Sequence, residues 1–207
     1  MKGFMMSNKK YEFVDGDTIE HNGITLKRIR AIVAIGLTVS AGDLGGYIQS
    51  EENLSRMDDA WVSDNAYVSD NAWVFDNAHV FGDALVSHDS WVYGDARVFG
   101  NAHVSGDARV FGDACVFGDA RVFGDAWVFG DALVENDKSI FWATKVGNNN
   151  DTLTAFKNKD GKITLVHECF IGSISEFKAL LEEKHSERTK REYKLLIKVA
   201  KSRILGE

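Results

Sequence analysis

A six-residue unit runs without insertion from residue 60 to residue 134, and it constrains the fold more than any other feature of the chain. Valine stands at Val62, Val68, Val74 and every sixth position onward to Val134. Alanine stands two places before each valine, from Ala60 to Ala132, with Ser90 as the single exception. Asp or Asn precedes the alanine, and Gly or Asp usually precedes that, as in Gly106-Asp107-Ala108-Arg109-Val110-Phe111.

A strand alternates its side chains, so in Ala-x-Val-x the alanine and valine share one face and the two x positions share the other. The Gly-Asp pair supplies a corner, because glycine accepts unusual backbone angles and a short Asx side chain bonds back to local backbone. One short strand and one corner per six residues close a triangular coil after about three units. Only small residues fit its narrow interior, which is what Ala and Val are.

The unit Val-Phe-Gly-Asp-Ala-Arg resembles that of the hexapeptide-repeat left-handed parallel β-helix proteins. The resemblance implies a left-handed coil, assembly as a trimer and, in the enzymes of that family, acyl transfer from an acyl-CoA with a histidine as base. Handedness rests on the resemblance, since parallel crossovers are right-handed as a rule. The flanks Leu26-Lys27-Arg28-Ile29-Arg30-Ala31, Ala41-Gly42-Asp43-Leu44-Gly45-Gly46-Tyr47-Ile48 and Glu52-Asn53-Leu54-Ser55 are similar to the lead-in of uncharacterised phage and prophage repeat proteins. Some of those are labelled acetyltransferases, a label that itself follows from fold.

The expected fold is mainly β: a hexapeptide solenoid with a small N-terminal β cap and a C-terminal cap made of a hairpin and two helices. Residues 1–55 form the cap and lead-in, 56–136 the β-helix and 137–207 the C-terminal subdomain. In the first segment, Tyr11 to Val14 reads as a strand, and Asn22-Gly23 as the turn of a hairpin whose second strand runs from Ile24 to Ile35. Gly42, Gly45 and Gly46 read as tight turns, because no helix pattern follows them. Ile48 and Leu54 begin a first turn out of phase with Val62. After Val134 the corners vanish, so the coil ends near Glu135. A hairpin through Asp160-Gly161 joins residues 152–156 to 163–166. Ser173 and Glu176 then make a capping box for a helix with Phe177, Leu180 and Leu181 on one side, and a second helix carries Tyr193, Leu196, Ile197, Ala200 and Ile204.

Composition excludes several classes. The 207-residue chain has no proline, which suits uninterrupted ladders, and two cysteines, Cys115 and Cys169, too few for a disulfide framework and without metal-ligand spacing around them. No apolar run is long enough to span a bilayer, and residues 1–6 lack the apolar stretch of a signal peptide, so the expectation is a cytoplasmic protein. The net charge of −7 is uneven. Corner aspartates make the coil acidic, whereas the last helix carries Arg188, Lys190, Arg191, Lys194, Lys198, Lys201 and Arg203 against Glu187 and Glu192. Nucleic-acid binding through that helix, which lacks aromatic interleaving beyond Tyr193, or mimicry of nucleic acid by the acidic coil, is the third-ranked reading.

Residues eighteen apart stack on one side of a three-sided coil, so the outward positions sort into three faces. The first holds Trp73, Phe75, Trp91, Tyr93, Arg109, Phe111, Trp127 and Phe129. An aromatic stripe of this length offers on the order of 1,000 Å², more than a monomer tolerates, so it is the expected oligomer interface unless the C-terminal helices cover it. The second face carries His79 and a column of Phe81, Phe99 and Phe117. The third is the most polar, and Tyr67, His103 and Arg121 mark it as the expected binding surface.

Catalysis finds little support among these residues. A base must be oriented and have a pKa near neutrality. His79 and His103 lie on flat faces, His88 replaces a corner glycine, and no loop leaves the repeats to build a pocket. The corner Asp and Asn residues lack the Gly-Gly-x-Gly-x-Asp spacing of calcium-binding repeats, so no metal is expected. The leading expectation is therefore a non-catalytic, trimeric assembly or binding protein of phage type that acts on a protein partner, with no cofactor. A CoA-dependent acyltransferase using acetyl-CoA and His79 or His103 is the alternative.

Overall fold

The computed structural model describes residues 9–206, so residues 1–6 with their expected lack of a signal peptide lie outside the described part. The chain opens with β1 (Tyr11–His21), β2 (Ile24–Ala31) and β3 (Leu44–Ile48). Thirteen two-residue strands follow in steps of six, from β4 (Trp61–Val62) and β5 (Tyr67–Val68) to β16 (Leu133–Val134). Then come β17 (Ile140–Val146), β18 (Asp151–Lys157), β19 (Ile163–His167), β20 (Phe170–Ser173), α1 (Ile174–Lys184) and α2 (Glu187–Leu205).

The repeats form a three-sided parallel β-solenoid. Each short strand pairs with the strand eighteen residues away, as Trp73 with Trp91, Cys115 with Leu133 and His103 with Arg121. Backbone amides bond from coil to coil along each side, Trp73 N to Ser90 O at 3.0 Å and Phe75 N to Val92 O at 3.1 Å. Every repeat alanine and valine is fully buried. Ser90 is buried too, its hydroxyl donating to Ser87 O at 2.7 Å, so the exceptional polar group is satisfied within its own corner.

The corners differ from the expectation that Asx side chains bond back to local backbone. They bond to the neighbouring coil: Asn65 Nδ2 donates to Asp83, Asn71 to Asp89, Asn77 to Asp95 and Asn101 to Asp119, at 2.9 to 3.1 Å. Asp64 accepts from Gly82 N and Asp76 from Gly94 N in the same sense. Coil stacking sets like corners one above the next, so the adjacent coil offers the nearer partner. From Asp64 to Gly130 the residue before each Asx takes a positive φ, between 57° at Asp70 and 73° at Gly82, which is why glycine is common there and why His88 at 61° is conformationally unfavourable.

At the open top, β1 and β2 form the expected hairpin about Asn22 and Gly23, both with positive φ. Two corrections apply to this cap. β1 runs on to His21 through an irregularity after Phe13, and β2 ends at Ala31, leaving Ile35 in an isolated bridge with Val39. Gly45 and Gly46 are not turn residues but part of β3, which pairs antiparallel with β2 and parallel with β5, so the cap continues the third face. A Cβ on Gly45 would lie 2.5 Å from Ile29 and 2.8 Å from Trp61, and one on Gly46 would meet the carbonyl of Ala66, so close packing demands glycine here. Ile48 pairs with Val68 and Leu54 with Val74, twenty residues apart rather than eighteen, which is the two-residue phase slip expected of the first turn.

At the bottom, Ile140, Phe156 and Val166 complete the solenoid core. The expected C-terminal hairpin, β18 with β19, is the middle of a four-stranded antiparallel sheet that includes β17 and β20. β17 escaped the sequence reading because its apolar residues continue the repeat's phase; with no corner to turn it, the segment extends and pairs with β18. α1 begins with the capping box of Ser173 and Glu176. It packs with α2 on this sheet through Phe177, Leu181, Tyr193, Ile197 and Ala200, forming a second core.

Candidate binding surfaces

The aromatic face is built by ladder register alone. Phe75, Tyr93, Phe111 and Phe129 stack ring on ring with centroids 4.7, 4.8 and 4.6 Å apart, and Phe81, Phe99 and Phe117 do the same on the second face at 4.8 and 5.1 Å. Stacking half-buries these columns within the chain, so the exposed apolar strip is narrower than eight outward positions imply. What remains is the outer column of Trp73, Trp91 and Trp127, which are 37 to 38% exposed. Arg109 fills the column between Trp91 and Trp127, 4.9 Å and 5.0 Å from their rings. The C-terminal helices do not cover this strip, because their apolar sides are already occupied by the four-stranded sheet.

The polar face carries Tyr67, His103 and Arg121 in one ladder through Leu85. The hydroxyl of Tyr67 is engaged by the ring of His21 at 3.0 Å. A cavity of about 330 Å³ brings His21, His88 and His103 around Ser87 and Ser105. His103 is held below the ordinary histidine range by partial burial, then by the charges of Arg121 and His21. Arg121 belongs to a different cleft, where it meets Phe123, Trp142 and Arg203. The three expected binding residues thus share a face but not a pocket.

His79 has a neighbour that sequence reasoning did not foresee. The cap loop between β2 and β3 lies beside the second face, and Leu37, Asp59 and Arg97 border an open groove of about 560 Å³ next to the imidazole. Burial first, then Arg97, lowers the pKa of His79, so the ring is neutral at pH 7. No carboxylate accepts a hydrogen bond from it among the described residues. The loop comes from the cap, not from the repeats, which is why a search for interruptions in the period misses it.

The basic helix is partly neutralised. Lys190 pairs with Glu182 and Glu187, and Lys194 with Glu182, at 2.6 to 3.1 Å. No helix among the described residues is long and apolar enough to cross a membrane. Residues that can hold a metal lie on the four-stranded sheet, where ligand atoms of Asp151, His167 and Glu168 come within 4.8 Å of one another. Asp151 is raised by its hydrogen bond with Glu168, which is lowered by the same contact. Nothing in the sequence marks this trio, because the pairing of β18 with β19 assembles it.

The class of fold is a β-solenoid built from repeats. A family model described as YdcK Beta solenoid repeat matches residues 92–106, which span β9 (Trp91–Val92) to the corner after β11 (His103–Val104). No curated protein matches the chain significantly.

Proposed function

We propose that the protein is a non-catalytic assembly and binding module in which the tryptophan column is buried against further copies of the same chain. The observation that carries this reading is the exposed run of Trp73, Trp91 and Trp127, which the chain's own helices leave open. Three tryptophans and an arginine make the kind of surface enriched at interfaces. The six-residue period supports a left-handed hexapeptide coil, and with it a trimer, in which the polar face and the cap loop stay free to engage a protein partner. Flanks similar to those of phage and prophage repeat proteins support an origin of that kind, and a cytoplasmic setting goes with the two unpaired cysteines. Light scattering tests the assembly. A mass near three times the 23.0 kDa chain is expected, falling to one chain in a Trp91→Ser, Trp127→Ser variant. A wild-type mass of one chain overturns it.

A second reading draws on the His79 groove. A neutral, half-buried imidazole beside Arg97, bordered by the cap loop, suits a base next to an anionic acyl donor, so the alternative is a CoA-dependent acyltransferase. Saturable acetyl-CoA binding in calorimetry that is lost in His79→Ala supports it; no binding at millimolar ligand removes it.

A further inference from the structure

We propose that Asp151, His167 and Glu168 form a binding site for one zinc ion. The hairpin register builds it. Leu153 of β18 stands opposite His167 of β19, which puts Asp151, at the start of β18, beside Glu168, in the turn after β19. One imidazole nitrogen and two carboxylates, with ligand atoms all within 4.8 Å, are a donor set suited to a three-ligand zinc site with a fourth position open.

Three further observations point to a cation. First, two carboxylates lie beside each other, which concentrates anionic charge at the trio. Second, the outer contacts are those that orient metal ligands. His167 is 95% buried, Tyr193 hydroxyl meets its Nε2 at 2.6 Å, and Asn149 Nδ2 donates to Glu168 Oε1 at 3.0 Å. With Nε2 engaged, the ring has a fixed orientation and Nδ1 is left as ligand. Third, a cavity of about 340 Å³ beside Trp127 and Thr154 reaches both carboxylates, which gives the ion an entry path.

Calorimetric titration of the chelator-treated full chain with ZnCl₂ tests the site. The expected result is one equivalent bound per chain, an affinity at least tenfold weaker in Asp151→Asn and in Glu168→Gln, and wild-type affinity in His103→Gln. Both carboxylate variants alter side chains at the surface of the sheet, and Tyr193→Phe, which keeps the ring in place, is expected to weaken zinc about tenfold. Added zinc should raise the thermal midpoint of the wild type and leave that of Glu168→Gln unmoved. The proposal is overturned by no saturable zinc binding, by binding that both carboxylate variants retain, or by binding that His103→Gln abolishes.

Discussion

The guanidinium of Arg109 lies 4.9 Å from the ring of Trp91, one coil away on the first face of the solenoid. On its other side Trp127 stands at 5.0 Å, so a cation is held between two aromatic rings in a column that is otherwise tryptophan. Each such contact contributes about 0.5 to 1 kcal/mol at a partly exposed site, and the arginine stem adds packing. Arg109→Ala is therefore expected to lower the unfolding free energy by about 1 to 2 kcal/mol, read as a lower urea midpoint at unchanged slope. Arg109→Lys keeps the charge but not the planar stack, and should recover less than half of the loss.

That column was within reach of the sequence, since 91, 109 and 127 are one coil apart, and phase alone sorts every outward residue of the repeats onto its face. Counting aromatics nevertheless hid Arg109, because it reads as the exception to a stripe rather than as the filling between two rings. The same counting overstated the exposed strip: parallel register places like side chains one coil apart, so Phe75 to Phe129 cover one another. The caps were less legible. A corner needs only its own six residues, whereas Gly46 against Ala66, or Asp151 against Glu168, depends on how segments far apart in the chain pair. The groove at His79 depends on where a cap loop comes to rest, and no local pattern encodes that.

The corner ladder makes a prediction about glycine that goes beyond turn propensity. Gly106 has φ of 71°, and a Cβ there would lie 2.7 Å from the backbone nitrogen of Gly124 in the next coil. Gly106→Ala meets both a left-handed backbone penalty of about 1 to 2 kcal/mol and a backbone clash that no rotamer relieves. Its thermal midpoint should fall by well over 5 °C. His88→Gly is expected to move the other way, raising stability by up to about 1 kcal/mol, because His88 occupies the same backbone region at 61°. Equal effects of opposite corners, with both variants destabilised, would mean that the Ser87 to His88 hydrogen bond at 3.0 Å outweighs backbone strain.

The histidines set an acid dependence. His79 is lowered by burial and then by Arg97, and His103 by burial and then by Arg121 and His21. Between their lowered native values and the ordinary 6.5, the unfolded chain binds protons that the folded chain does not. Stability then rises with pH across that window and falls as pH drops through it. Carboxylates held low by hydrogen bonds, such as Glu176, act only below 4.5, so the two effects separate. The thermal midpoint should decline from pH 7 to pH 5, and a His79→Gln, His103→Gln variant should flatten the decline. An unchanged slope in that variant would place the acid sensitivity elsewhere.

The top of the solenoid depends on Lys10. A first coil has no coil above it, so its carbonyls lack the amides that each later coil's carbonyls receive from the coil before. Lys10 Nζ donates to Asp58 O and Ala60 O, both at 2.7 Å, and sits 3.6 Å from Asp58 Oδ1 with its side chain 6% exposed. Burial lowers its pKa, with Asp58 opposing that shift. An ammonium thus stands where a strand would otherwise end in unpaired acceptors. Lys10→Met fits the same channel but removes the donors, and leaving buried carbonyls unpaired costs about 1 to 3 kcal/mol. The loss should be local. Hydrogen exchange is expected to quicken at Trp61 and Ser63, whose amides belong to the first coil, while Arg109 and Phe111 deep in the ladder keep their protection. Uniform quickening along the coil would mean that the solenoid unfolds as one unit from its top. Unchanged exchange at Trp61 would mean that Tyr11, whose hydroxyl reaches Leu54 O at 3.1 Å, closes the end without Lys10.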